Sequence, residues 1–289
     1  MAAAFKTPDL SNGIVEGVEM ADYREVNAVS ASDLKNMKRS PAYARMRTST
    51  SSPAKEWGTA VHTSILEPDT LDARYAHDPE KPEVGGYPAG WRNTKAYKEA
   101  KADLLSLDGV EGVLTPQQLL DLESIRRRVE RNNIGSKLHA LGGLREASGF
   151  WFDGEFALWR KVRPDWLVEG AGMVVDVKTA RDHRPHQFAR ACHQYAYHLS
   201  AAYYLDTLTA ASDTTYEHYV FLVVNSEAPF EVAAYTLDED SISQGRFEYR
   251  KHLAEWRDCT ELQNWPSGSD DIAELRLPEF AINYHLEES

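Results

Sequence analysis

The chain runs to 289 residues, 42% hydrophobic and 27% charged, with a mean hydropathy of −0.52, ordinary proportions for a soluble globular fold. No stretch approaches the roughly 18 uninterrupted apolar residues that span a bilayer, and the opening MAAAFKTPDLSNG lacks the charged start and apolar core of a secretory leader. Two cysteines, Cys192 and Cys259, cannot build a disulfide framework, so a reducing cytoplasm is the expected setting and membrane, secreted, collagenous and coiled-coil classes are set aside.

The balance of 32 basic against 45 acidic residues gives a net charge of −13 and a pI near 5.3, which argues against a protein that coats nucleic acid wholesale. The acidity is uneven. Residues 1–150 hold 20 basic and 21 acidic side chains, residues 151–289 hold 12 and 24, and residues 230–289 alone hold 5 and 14. Local basic runs survive at Lys35, Lys38 and Arg39, at Arg45 and Arg47, and at Arg126, Arg127, Arg128 and Arg131. Each run reads either as a solvated helix face or as positive potential along a phosphate-binding groove, so the net charge does not exclude DNA.

In chain order, Ser30-Ala-Ser-Asp33 reads as a helix start leading into DLKNMKR and stopping at Ser40-Pro41. A second helix is predicted over Lys55 to Leu66, closed by Glu67-Pro68. Residues 77–93, rich in Pro and Gly, read as a long mobile loop. A helix is predicted over 94–107. The next begins at Thr115 as N-cap, with Pro116 at N1 and Gln118 completing a capping box, and carries Leu119, Leu122, Ile125 and Val129 as its apolar stripe. From Phe150 to Thr179, aromatic and β-branched residues punctuated by glycine predict three strands. A long helix follows over 186–206, with Phe188, Ala191, Tyr195, Leu199 and Ala202 on one face. Strands over 218–225 and 231–237, a helix over 239–258 and an irregular acidic tail finish the chain. The order predicts a single α/β domain: a mainly helical N-terminal part (28–145), an α/β core (146–237), and a C-terminal helix with its tail (238–289).

The chemistry concentrates in Arg163 to Lys178, RPDWLVEGAGMVVDVK. With residues 169–172 as a four-residue hairpin loop, Asp165 falls across the ladder from Asp176, and Arg163 across from Lys178. Directly opposed Cβ atoms lie about 4.5–5.5 Å apart. Lys178 is two residues beyond Asp176 and projects from the same face, while Val177 points away with its carbonyl near that edge. Two opposed carboxylates repel unless a cation lies between them. A divalent ion resolves the repulsion, and Mg²⁺ characteristically binds through one or two carboxylates plus substrate phosphate. Lys178 beside it would contact an attacking water or stabilise charge on a phosphate oxygen. The competing reading is a surface hairpin in which Asp176 and Lys178 simply pair. A one-residue slip of the loop would send Asp165 and Asp176 to opposite faces.

Pro164-Asp165 followed by Asp176-Val177-Lys178 and then a helix resembles the PD-(D/E)XK nuclease superfamily, whose restriction-endonuclease-like core is a central mixed sheet flanked by helices. Five ordered segments carry a closer resemblance over about residues 28–205: ASDLKNMKRSPAYAR (31–45), WGTAVHTSILEPD (57–69), REASGFWFD (145–153), RPDWLVEGAGMVVDVKTARD (163–182) and FARACHQYAYHLSAAYYLD (188–206). Together they are similar to the RecE-type phage and prophage exonucleases (exodeoxyribonuclease VIII-like), relatives of lambda exonuclease. The resemblance implies a 5′→3′ exonuclease on linear double-stranded DNA that leaves 3′ single-stranded tails for a RecT-like annealing partner. It also implies a ring-like homo-oligomer, a trimer or tetramer, threaded by duplex.

Carried over by position, the resemblance makes His62, Asp165, Asp176 and the Val177 carbonyl the ligands of one or two Mg²⁺ ions, with Mn²⁺ as substitute. It makes Lys178 the catalytic lysine, working with Asp165 and Asp176. Glu146 matches an acidic position that helps hold a second ion or its waters, the alternative being an exposed helix-end glutamate. Arg163 is expected either to hold the phosphate or to fill a plain cross-strand position, and Lys35, Lys38 and Arg39 to meet DNA. The superfamily's Gln-x-x-x-Tyr signature aligns here with Ser200 and Tyr204, so the tyrosine is kept for DNA and the glutamine is not. Otherwise Tyr195, Tyr197, Tyr203 and Tyr204 are expected mostly in the core. Competing readings are an endonuclease or RecB-like enzyme of the same superfamily, and a non-catalytic DNA-binding protein on a nuclease-like fold. A single-strand nuclease with an iron–sulfur cluster needs four cysteine ligands, and two are present.

Overall fold

A computed structural model describes residues 11–46, 52–80, 90–268, 272 and 274–278. The N-terminal part contains β1 (Gly13–Val15), α1 (Met20–Glu25), β2 (Val29–Ser30), α2 (Ala31–Met37), α3 (Pro41–Met46) and α4 (Pro53–Leu66). It continues through α5 (Leu71–Arg74), β3 (Tyr75–His77), α6 (Lys95–Leu105), β4 (Gly112–Leu114), α7 (Pro116–Arg131) and α8 (Asn133–Leu141). The predicted starts hold for physical reasons: Ser30 and Asp33 form a reciprocal capping box on α2, and Thr115 and Gln118 form another on α7. The middle of the Pro/Gly-rich loop, residues 81–89, and Arg47 lie outside the described residues. The loop's flanks are tied together where Asp78 accepts from Arg92 at 2.7 Å and from the Tyr97 hydroxyl at 2.6 Å.

After β5 (Leu144–Arg145), four strands form where three were expected: β6 (Ser148–Asp153), β7 (Leu158–Val162), β8 (Trp166–Val168) and β9 (Met173–Ala180). The expected strands merge or divide at two breaks. A turn at 154–157, with Asp153 accepting from the Glu155 N–H, separates β6 from β7, and Pro164 separates β7 from β8. The predicted helix 186–206 is also two helices, α9 (Pro185–Gln194) and α10 (Tyr197–Ala211), because Ala196 adopts a left-handed conformation (φ 50°, ψ 48°). The chain closes with β10 (His218–Asn225), β11 (Val232–Thr236) and α11 (Glu239–Glu261).

The central sheet is mixed and five-stranded, in the order β11-β10-β9-β8-β5, with β9 and β10 parallel and the other pairs antiparallel. A second sheet has the order β1-β6-β7-β2. Side-chain alternation in β9 and β10 divides the core. Val174, Phe221 and Val223 pack with Phe188, Leu199, Tyr203 and Leu253 from α9, α10 and α11. Val175, Val177, Leu222 and Val224 pack with Ala60, Val61 and Ile65 of α4 and Leu122, Ile125 and Val129 of α7. Among the described residues no helix is long and apolar enough to cross a membrane, and Cys192 and Cys259 are free and buried.

Candidate active site

The hairpin between β8 and β9 has the predicted register. Trp166 pairs with Val175, Leu167 with Val174 and Val168 with Met173; the ladder ends there, with Asp165 and Asp176 each one residue beyond its last pair and their carboxyl groups close enough to interact. Gly172 closes the turn in a left-handed conformation (φ 54°), and a Cβ there would stand 2.4 Å from the Thr215 carbonyl oxygen. The pairing stops short of Arg163. Pro164 carries the chain from one sheet to the other, and Arg163 lies in the link just after β7 (Leu158–Val162) instead of in a ladder with Lys178.

Since β8 is only three residues long, β9 from Asp176 onward has no ladder neighbour on that side. The Asp165 carboxylate fills the gap: the Val177 N–H donates to its Oδ2 at 2.7 Å. In a strand the N–H and C=O of one residue point the same way, so the Val177 carbonyl opens toward the same gap. The Lys178 Nζ lies 3.5 Å from that carbonyl oxygen and 2.5 Å from Asp176 Oδ2. His62, from the buried face of α4, brings its Nδ1 to 3.4 Å from Asp165 Oδ2.

Glu146 completes the cluster. Its backbone is left-handed (φ 52°), and its N–H donates to the Asp165 carbonyl at 3.2 Å. Arg163 Nε donates to its carboxylate at 2.9 Å. The same guanidinium also donates to the Val18 carbonyl at 2.6 Å and the Ser148 hydroxyl at 3.2 Å. Arg163 is therefore occupied in orienting Glu146, a role its sequence position gave no means to foresee, since Val18 and Ser148 come from other strands and loops. Ligand atoms of His62, Glu146 and Asp165 all lie within 4.8 Å of one another.

Burial, reinforced by Asp176, pushes Asp165 up to about 7 against Lys178 and the Val177 N–H. Burial and then Asp165 raise Glu146, with Arg163 opposing. Burial and then Lys178 lower His62 to about 4, which leaves a neutral imidazole with a free lone pair at pH 7. For Lys178 burial works downward, but Asp176 and Asp165 outweigh it and hold the ammonium above its ordinary value. An imidazole, carboxylates kept apart from protons only at a cost, and an outward carbonyl form a donor set suited to a divalent cation, which would offset the repulsion between the acids. The residues present fit the group.

The remaining predicted positions scatter. Tyr204 is partly buried and its hydroxyl donates to the Arg163 carbonyl at 3.2 Å. Ser200 is buried with its Oγ unpartnered among the described residues. Lys38 is paired with Glu248 at 2.9 Å, Arg39 lies over the Tyr43 ring at 4.2 Å, and Lys35 stands 5.9 Å from the Tyr197 ring centre. Of the four tyrosines expected in the core, Tyr203 is fully buried, Tyr197 and Tyr204 are half-buried, and Tyr195 is 54% exposed.

A mixed sheet carrying Pro-Asp and Asp-x-Lys across one hairpin, with a histidine and a glutamate closing on the first aspartate, has the fold of the PD-(D/E)XK nuclease superfamily. The chain belongs to the family described as PDDEXK-like domain of unknown function (DUF3799), whose model matches residues 30–278. It is similar in fold to a crystal structure of a candidate exonuclease from Eubacterium rectale, with a TM-score of 0.55 at 12% identity over 84% of this chain and 87% of that one. No curated protein gives a significant match.

Proposed function

We propose that the protein is a Mg²⁺-dependent 5′→3′ exonuclease that degrades linear double-stranded DNA and leaves 3′ single-stranded tails for recombination by strand annealing. The observation that carries the nuclease reading is the convergence of His62, Glu146 and Asp165 beside the Asp176–Lys178 pair at an open strand edge. Direction and duplex preference rest on the resemblance to RecE-type exonucleases, as do the ring-like homo-oligomer and the RecT-like partner.

His62, Asp165, Asp176 and the Val177 carbonyl would hold the first ion, and Glu146 a second ion or its waters. A divalent cation bound there supplies Lewis-acid polarisation of the scissile phosphate and lowers the pKa of water. The residues do the rest. Lys178, kept protonated by Asp176 and Asp165, cannot accept a proton near neutrality; it donates to the attacking water or a non-bridging phosphate oxygen and stabilises charge as it develops. Asp165 holds the Val177 amide and thereby fixes the direction of the Val177 carbonyl. Arg163 and the left-handed backbone at 146 aim Glu146 into the gap.

The test is purified protein with Mg²⁺ or Mn²⁺ on duplexes labelled at the 5′ or the 3′ end, with a closed circular control. Mononucleotide release from 5′ ends with the circle intact is the expected result. Cutting of the circle would identify an endonuclease, and binding without cleavage in either metal would identify a DNA-binding protein that has lost the chemistry.

A further inference from the structure

The break between α9 and α10 lies beside the site and has no source in the usual helix breakers. Ala196 is 4% exposed and left-handed, a conformation that is unfavourable for a non-glycine residue. Its effect is local and specific. On a continuous helix, residues two apart do not face each other. Here the turn at Ala196 brings the rings of Tyr195 and Tyr197 side by side, with centroids 5.6 Å apart and planes 31° from parallel. Tyr197 is anchored from behind by Phe188 at 6.1 Å and Phe221 at 5.8 Å. Two ammonium groups stand at the same ring: Lys178 at 5.2 Å and Lys35, from α2, at 5.9 Å. Tyr195 turns outward and is 54% exposed.

A single exposed aromatic needs no explanation. An exposed ring set against an anchored one, beside the catalytic lysine and a second cation, by means of strained backbone, is a different observation. Nucleic-acid grooves combine cations for the backbone with aromatic faces on which unpaired bases stack, each stacked base contributing about 1–3 kcal/mol whatever its identity.

We propose that Tyr195 and Tyr197, flanked by Lys35, form a stacking subsite for an unpaired nucleobase next to the phosphate held at Lys178. The inference rests on the nuclease reading and narrows it: the strand being cut is single-stranded where it enters the site, so a duplex end must be opened by at least its terminal pair. Stacking on tyrosine faces makes this entry indifferent to sequence.

The test uses fluorescence anisotropy in EDTA, which withholds the divalent ion, with labelled single-stranded oligonucleotides and the full-length chain. Tyr195→Ala is expected to raise Kd about 5- to 150-fold, the equivalent of one stacked base, while Tyr195→Trp stays within about threefold of the parent. Because Tyr195 is exposed, both variants should keep the parental circular dichroism and melting temperature. Oligonucleotides with an abasic residue at each of the first three positions in turn supply the second arm. One abasic position should weaken the parent as much as Tyr195→Ala does and leave Tyr195→Ala unchanged. Equal Kd for the parent and Tyr195→Ala, or abasic losses that add to the alanine loss, would overturn the subsite and leave the nuclease reading standing. A parent that neither binds these strands nor cleaves DNA in Mg²⁺ would overturn both.

Discussion

Strands β7 and β9 both bury cations, on opposite plans. On β7, Arg160 meets Asp153 at 3.1 Å and donates to the Tyr203 carbonyl, with the Tyr203 and Tyr249 rings at 4.5 and 5.0 Å. Lys161 next to it gives its three protons to the carbonyls of Tyr23, Arg24 and Val26 at 3.1, 3.2 and 2.8 Å, closing the C-terminal end of α1. There the carboxylate answers Arg160, and carbonyl dipoles hold Lys161. Around β9, three carboxylates (Glu146, Asp165 and Asp176) share Lys178 and Arg163, and the nearby imidazole is neutral. Buried charge is common to both places. The surplus on β7 is positive and is met by carbonyl dipoles, whereas the surplus around β9 is of carboxylates, and it is this acidic surplus that suits a divalent cation and points to function.

The sharpest way to break this contrast is to remove charge from each side. Asp165→Asn and Asp176→Asn are each expected to lower the cleavage rate by about 10²–10³-fold, the scale seen when a group that stabilises the transition state is deleted, with the fold retained. Lys161→Met should do the reverse. Three carbonyls lose their donor at a cost of about 2–4 kcal/mol, roughly a 5–10 °C fall in melting temperature for a chain of this size. The rate per folded molecule should stay within about twofold. Thermal melts and initial rates on the same preparations decide it, and a Lys161→Met protein that melts normally but does not cut would reverse the two assignments.

The next effect is smaller and depends on pH. The folded protein raises Asp165 from an ordinary 3.8 to about 7, so between those values it holds a proton that the unfolded chain releases, and stability drains as pH rises. His62, lowered from 6.5 to about 4, works the other way over the overlapping window, since the unfolded chain takes up a proton that the folded one refuses. In the parent the two slopes largely offset each other. Asp165→Asn removes only the first and keeps an oxygen for the Val177 N–H. In EDTA its melting temperature should match the parent at pH 4 and exceed it increasingly toward pH 7.5. Adding Mn²⁺ at a hundredfold excess over its Kd should stabilise the parent by about 2.7 kcal/mol and Asp165→Asn hardly at all. A variant that gains nothing at pH 7.5 would mean that the carboxylates are not in conflict.

Much of this was legible in the residues. Capping at Ser30 and Thr115, the glycine-closed turn at 169–172 and the symmetric spacing of Asp165 and Asp176 are local chemistry, and the chain follows it. What escaped was set by tertiary context. Ala196 carries no mark of a helix end, because no glycine or proline stands there and its left-handed backbone is held by the packing around it. Extending the hairpin register to Arg163 failed because Pro164 moves the chain to another sheet. The partners that decide what Arg163 does, Val18 and Glu146, lie 145 and 17 residues away, and spacing within one hairpin says nothing about either.

The smallest expected effect separates a third kind of charge from the first two. Lys38 is 38% exposed and paired with Glu248, whose other oxygen meets His198 and Gln244. Burial works upward on Glu248, yet Gln244, Lys38 and His198 together draw it down to about 2, so the carboxylate keeps two partners if the lysine goes. A surface pair of this type contributes at most about 1 kcal/mol. Lys38→Ala should therefore move the melting temperature by no more than about 3 °C, and DNA affinity by no more than about twofold, since its charge is already matched. Lys35→Ala, which removes an ammonium from the Tyr197 ring beside Lys178, should weaken DNA binding more and flatten its salt dependence, because this lysine stands next to the proposed base and phosphate positions. Titrations of both variants from 50 to 200 mM salt distinguish them. If Lys38→Ala gave the larger loss and the flatter slope, the Glu248 pair would have to open on binding, and the positive face of α2 would extend past the aromatic pair toward α11.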